Sequence, residues 1–230
     1  DEVRRRAAEA SPPRPVRFDA PMSLIAEVKR RSPSAGQLAE GVNPVDQARV
    51  YESAGATAIS VLADERYFGG SLDDLEAVRA AVGVPVLCKD FILTPYQMYE
   101  ARGHGADLVL LIVAALRGDA LRRLHELSLD LGMAALVEVH NQHDLAHAIA
   151  ADAALIGINN RDLTDFSVDL LTTEYLAPLV PDGARVVSES GIESRADVER
   201  AARAGAQAVL IGSTLMRSPN PASTIRELLG

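Results

Sequence analysis

Ionisable and polar side chains stand at the ends of several short apolar runs. Glu27 and Lys29 close "SLIAEVK", Lys89 closes "VPVLCKD", Glu138 sits in "ALVEVH", Asn159 in "ALIGINN" and Glu189 in "RVVSES". Burying an unpaired ammonium is costly, so a lysine at the end of a core strand calls for partners. Lysine as proton donor and carboxylate as acceptor are the two halves of general acid–base catalysis. Side chains alternate along a strand, so Glu27 and Lys29 share a face and Lys89 points away from Cys88. By the same rule Glu138 opposes Val137 and Val139. If the shared face lines one opening, two lysines and two or three glutamates converge there. One charged strand end is as often a solvated loop residue as a functional one. Four to six at independent strand ends weigh against that reading.

Two further strand ends, "SESGI" and "IGSTLM", present Ser190, Gly191, Gly212 and Ser213. Glycine lets the backbone approach phosphate oxygens and serine adds a hydroxyl donor. The remaining reactive types have plainer roles. Cys88 reads as a small buried hydrophobe. His104, His125, His143 and His147 read as surface or packing residues, which leaves His140, just past a strand, as the histidine to watch. No grouping has the spacing of a metal site.

The elements that must position these groups are legible as eight apolar runs, at residues 23–29, 58–63, 84–90, 108–113, 135–140, 154–160, 185–190 and 208–213. Most carry Val, Ile and Leu on both parities, as strands buried on both faces of a parallel sheet do. Helix-forming segments alternate with them, several ending in glycine, and Asn43-Pro44 and Ser194 supply helix starts. Eight alternations predict an α/β fold, a (β/α)8 TIM barrel in a single domain over residues 23–230, rather than an open doubly wound sheet. No GxGxxG follows the first strand, which removes the main support for a dinucleotide fold. Residues 1–22 predict a short helix and a proline-rich lead-in. In such a barrel the C-terminal strand ends form the active site, and phosphate commonly sits after strands seven and eight.

Composition bounds the rest. The chain has 230 residues, is 48% hydrophobic and carries a formal net charge of −9. That charge argues against a general nucleic-acid binder, although it leaves room for a local basic pocket. A single cysteine excludes an internal disulfide and fits a reducing compartment. The longest apolar stretch, "LVLLIVAAL", is about half of a membrane span. With no apolar leader, the expectation is a cytoplasmic protein with neither membrane nor nucleic-acid partner.

The motifs "IAEVKRRSPSAG", "ISVLADERYFGGS", "VPVLCKDFI", "LLIVAAL", "LVEVH", "IGINNRDL", "SESGI" and "LIGSTLMR" occur in an order that closely resembles the indole-3-glycerol-phosphate synthase family of tryptophan biosynthesis. The resemblance implies a cofactor-free barrel lyase. It would close the indole ring of 1-(2-carboxyphenylamino)-1-deoxyribulose 5-phosphate, with loss of CO2 and water. By resemblance, Lys89 protonates the ketone oxygen during ring closure. Glu27, Lys29 and Glu138 serve the later dehydration and stabilise charge, with Glu189 and Asn159 in the same polar network. Lys29, Ser190, Gly191, Gly212 and Ser213 hold the phosphate. Ser32, Phe68, Phe91, Leu110 and Arg161 shape the pocket for the carboxyphenyl ring, and other enzymes of the pathway are implied as partners. Three departures stand out: Ala35 where a lysine is frequent, "GSTLM" in place of a Gly-Glu version, and "DEVRRRAAEA" with a proline stretch in place of a longer extension over the barrel mouth. The rival readings are another phosphosugar barrel (an isomerase, or an aldolase with Lys89 as Schiff base) and a non-catalytic barrel that binds a phosphorylated metabolite.

Overall fold

All eight apolar runs form strands, and the strands close on themselves. In the computed structural model the strands are β1 (Ser23–Val28), β2 (Ala58–Leu62), β3 (Val86–Lys89), β4 (Leu108–Ile112), β5 (Ala134–Val139), β6 (Leu155–Asn159), β7 (Arg185–Glu189) and β8 (Ala208–Ile211). Each pairs in parallel with its sequence neighbours, and β1 pairs with both β2 and β8, which completes a closed barrel. The structure describes residues 1–29 and 42–230, together with the backbone pairing of a small antiparallel hairpin, Arg31–Ser32 with Gly36–Gln37. The side chain of Ser32, and Ala35, lie outside the described residues.

Helices α1 (Glu2–Glu9), α2 (Pro44–Ser53), α3 (Leu72–Ala81), α4 (Pro95–Gly103), α5 (Ala120–Asp130), α6 (Gln142–Ala150), α7 (Leu171–Leu176), α8 (Arg195–Ala204) and α9 (Pro221–Leu229) surround the barrel, α1 on α4. Their starts follow the sequence. The Asn43 side chain accepts from the Val45 and Asp46 amides, and Ser194 with Asp197 forms a reciprocal capping box.

Strand alternation sorts the core into two clusters. Outward residues such as Cys88, Val109, Val137 and Val139 pack against the helices. Inward residues, among them Ile25, Leu87, Leu110, Leu136, Val187 and Leu210, fill the barrel itself. These inward apolar residues form a plug beneath the polar groups at the C-terminal strand ends.

The lead-in packs along the side and base of the barrel. Helix α1 lies along α4, with Arg4 over the Tyr99 ring at 5.1 Å and Arg6 Nε donating to Gly103 O at 3.2 Å. The proline stretch then passes beneath the barrel, where Val16 and Phe18 pack against the interior plug. Asp107, at the entry of β4, fixes this path. Its carboxylate accepts from the Arg14 amide at 2.6 Å and the Val86 amide at 2.8 Å, and Arg79 Nε stands 2.9 Å away. The reason is composition: a proline-rich segment cannot form a helix to span the mouth, but its apolar residues can seal a floor.

Candidate active site

The C-terminal ends of the strands enclose a cavity of about 750 Å³. Glu27, Lys29, Lys89, Glu138, Asn159, Ser190, Gly191, Gly212, Ser213, Phe68, Phe91, Leu110 and Arg161 all line it. Glu189 lies just beneath, fully buried. Every described residue expected in the active site is thus brought to one mouth.

Glu27, Lys89, Glu138 and Glu189 come from β1, β3, β5 and β7, the alternate-strand origin expected of one interior layer. Lys89 is the hub: its Nζ is 3.1 Å from Glu27 Oε2 and 3.1 Å from Glu189 Oε2. Lys29 Nζ approaches the other Glu27 oxygen at 2.9 Å. Burial alone would disfavour the lysine charge, but Glu27, Glu189 and Glu138 outweigh it and hold Lys89 above its ordinary pKa. Burial would also raise Glu27, yet Lys29 and Lys89 draw it down to about 2. Glu189 behaves oppositely. Burial, with repulsion from Glu138 and Glu27, raises it to about 7 against the pull of Lys89. Glu138 stays below the usual carboxylate range: burial opposes its charge, but His140, Lys89 and Asn159 overcome that.

Two glycines make room for this layer. A Cβ on Gly157, in the middle of β6, would overlap Glu189 Oε1 and come within 3.2 Å of Leu136 Cδ1. A Cβ on Gly212 would overlap Glu27 Oε1 and lie 3.1 Å from its carboxyl carbon. Gly212 thus has a second use beyond the phosphate loop read from sequence. Gly157 was not singled out at all, although a glycine inside a strand is the signal that another group approaches closely.

The end of β7 is held from behind. Asn160 Nδ2 lies 3.0 Å from Ser188 Oγ, Glu189 O and Ser190 O, and its Oδ1 accepts from the Thr173 amide and hydroxyl at 3.0 and 2.8 Å. This clamp supports Ser190 in a left-handed conformation, φ 65°, which a non-glycine residue adopts only under constraint. Gly191 follows at φ 79°, where a Cβ would lie 2.6 Å from Val168 Cγ1. Beside this turn the short helix Ser213–Arg217 starts at the cavity.

Aromatic groups rim the mouth. Phe68 and Phe91 face each other with centroids 6.3 Å apart, and Tyr67 meets Phe91 edge-on at 6.4 Å. Tyr67, Leu163, Phe166 and Val168 also line the cavity, and sequence reading passed over them. They sit on the short helix Glu65–Phe68 after β2 and on the loop after β6, where no periodicity announces a role. Arg161 is held by its own loop: its amide donates to Asn159 Oδ1 and its guanidinium to Phe166 O, each at 3.0 Å.

A sequence model for "Indole-3-glycerol phosphate synthase" matches residues 15–228. The chain belongs to the indole-3-glycerol phosphate synthase family. Similar curated proteins bear the family name. One from Kineococcus radiotolerans is 53% identical over 208 residues, covering 90% of this chain and 76% of that one. One from Nocardioides sp. is 51% identical, covering 100% and 89%. Among solved structures, 3-hexulose-6-phosphate synthase has a TM-score of 0.72 at 15% identity, covering 90% of this chain and 98% of that one. Thiamine phosphate pyrophosphorylase from Pyrococcus furiosus has a TM-score of 0.66 at 18% identity, covering 90% and 94%. At those identities the likeness speaks to the barrel alone, while membership of the indole-3-glycerol phosphate synthase family rests on sequence across the whole barrel. No helix among the described residues is long and apolar enough to cross a membrane.

Proposed function

We propose that this chain converts 1-(2-carboxyphenylamino)-1-deoxyribulose 5-phosphate to indole-3-glycerol phosphate, releasing CO2 and water. The observation that carries the reading is Lys89, a cation set between the Glu27 and Glu189 carboxylates in the mouth of a barrel of this family. The substrate is a dianionic or trianionic molecule, so lysines suit its binding. Its phosphate would rest on the backbone at Ser190–Gly191 and Gly212–Ser213, with Lys29 near, and its ring against Phe68, Phe91 and Leu110. Ser32 and Arg161 belong to the same proposed pocket.

As the aromatic carbon attacks the ketone, the oxygen becomes a strongly basic alkoxide. Lys89, held protonated by its carboxylates, donates to it; such positioned acids are worth about 10²–10⁴-fold in rate. Loss of CO2 restores the aromatic ring. Dehydration then requires a base and an acid. Glu27 is neutralised by two lysines and is a poor base. Glu138 and Glu189 repel one another; burial and that repulsion raise Glu189, whereas His140, Lys89 and Asn159 lower Glu138, so we assign the base to Glu138. Lys29, which lines the cavity with its Nζ 2.9 Å from Glu27 Oε1, would protonate the departing hydroxyl.

A Schiff-base aldolase fits less well, because that chemistry needs a neutral amine and Lys89 is pushed the other way. We read residues 23–230 as the catalytic domain and 1–22 as a lead-in with no fold of its own, since its partners are Asp107, α4 and the barrel floor. A cytoplasmic location and association with other tryptophan-pathway enzymes complete the reading on the support of family membership.

The test is to supply the carboxyphenylamino-deoxyribulose phosphate and follow indole fluorescence. Turnover is expected for the native chain, and Glu138→Gln is expected to lower kcat about 10²–10⁴-fold with KM little changed, because a base acts in the transition state. Absence of turnover by the folded native chain refutes the proposal.

A further inference from the structure

Strand β5 carries Glu138 into the mouth, and two residues later the chain presents His140. The His140 Nε2 lies 3.2 Å from Glu138 Oε1, and Nδ1 lies 3.7 Å from Asp144 Oδ2. The histidine side chain is only 10% exposed. Its seat is fixed by the start of α6: the His140 amide donates to Asp144 Oδ2 at 3.1 Å, and the Asp144 amide donates to Asn141 Oδ1 at 2.9 Å. Each ring nitrogen thus faces a carboxylate, the closer contact being the one to Glu138.

The charges that face the ring come from several elements. They are Glu138 on β5, Asp144 on α6, Glu189 on β7 and Asp162 on the loop after β6. Lys89 on β3 acts on Glu138 as a further positive charge. Burial alone would discharge the imidazole, but the carboxylates outweigh it and favour the cation.

A puzzle in the carboxylate pair gives this clasp its meaning. Lys89 touches Glu189 directly at 3.1 Å, whereas no hydrogen bond joins it to Glu138. Lysine alone would therefore place the pair's negative charge on Glu189. The balance runs the other way, and the groups that distinguish Glu138 from Glu189 are His140 and the side chain of Asn159. Of these two, His140 is the one able to carry charge.

We propose that His140 is a positioning residue: clasped between Glu138 and Asp144, it keeps the negative charge of the Glu138–Glu189 pair on Glu138. The catalytic part of this inference rests on Glu138 being the base, while the clasp itself does not.

Proton NMR titration of the five histidines reads the clasp directly, with the His140 signal identified by its loss in His140→Asn, or in His140→Gln if the first fails to fold. The midpoint is expected above the ordinary value of about 6.5 and to fall by about one pH unit in Glu138→Gln. Turnover reads the consequence. In His140→Asn the acid limb of the kcat profile is expected to move up by about half a unit to one unit, because Glu138 without its cation holds a proton to higher pH. KM should change little, and thermal stability should be retained. A merely structural histidine would lower kcat or stability without moving that limb. A midpoint that Glu138→Gln leaves in place overturns the proposal, whatever the limb does. A midpoint that shifts while the limb stays fixed upholds the clasp and refutes Glu138 as the base.

Discussion

Replacing Lys89 by methionine is expected to lower kcat by about 10²–10⁴-fold, the range that one positioned acid contributes. Methionine keeps the length and flexibility of the side chain, so the loss reports charge and proton rather than volume. The same substitution should change how stability depends on pH. Glu189 already sits near 7 in the native state because burial and its carboxylate neighbours oppose its charge, and among the described residues Lys89 is the one cation in contact with it. Without Lys89 its folded pKa rises further. A group whose folded pKa exceeds the unfolded value stabilises fully below the unfolded value and loses that contribution as pH rises through the folded one. The deficit of the variant in melting temperature relative to the native chain should therefore widen between pH 5 and pH 8. Glu27 works in the opposite sense. Lowered to about 2 in the native chain, it contributes stability above the usual carboxylate range and loses it as pH falls towards 2. With one of its two lysines removed that contribution shrinks. Scanning calorimetry at several pH values, beside single-turnover kinetics, checks both halves. Unchanged kcat would remove Lys89 from the chemistry, and a deficit that stays constant from pH 5 to 8 would refute the burden placed on Glu189.

Gly157→Ala is the second substitution with a large expected effect. One methyl group, added where Glu189 Oε1 already stands, must displace a carboxylate packed between Leu136 and Lys89. Overpacking of this kind costs about 1–3 kcal/mol. The displaced carboxylate also drags the hub lysine, and an ångström of misplacement in a catalytic group can cost about 10²-fold in rate. The explanation is specific enough to be isolated. In a Glu189→Ala background the space is vacant, so Gly157→Ala should become nearly neutral, with a coupling of about 0.5–3 kcal/mol across the double-mutant cycle. Denaturant melts of the four proteins measure it. Additive effects would mean that the glycine serves backbone geometry and not the carboxylate.

Much of this arrangement is written in simple periodicities. The eight strands, the opposite faces of Cys88 and Lys89, and the inward set Glu27, Lys89, Glu138 and Glu189 follow from alternation once the barrel is recognised. Alternation is a local rule, and it transmits well. Depth is not local. That Gly157 on β6 yields its space to Glu189 on β7 depends on how far one strand is staggered against the next, which no single run of residues encodes. The His140–Asp144 clasp escaped for a related reason. Asp144 reads as a first-turn helix residue, and its reach back to the strand end appears only when α6 docks. The lead-in is a third case, since Val16 and Phe18 carry no period that would say floor rather than mouth. The aromatic rim, Tyr67 and Phe166 included, lies on a single helical turn and loops whose course depends on everything around them.

Cys88 gives the barrel a clock. It is the chain's single cysteine, it is buried on the outer face of β3, and burial, aided by Asp90 and Glu100, pushes its thiol well above the usual range. A thiol so placed reacts through the rare moments when β3 parts from its helices, so its modification rate counts those openings. The next residue along the same strand is Lys89, whose grip on Glu27 and Glu189 ties β3 to β1 and β7. Labelling of one side of the strand therefore times the persistence of the charge network on the other.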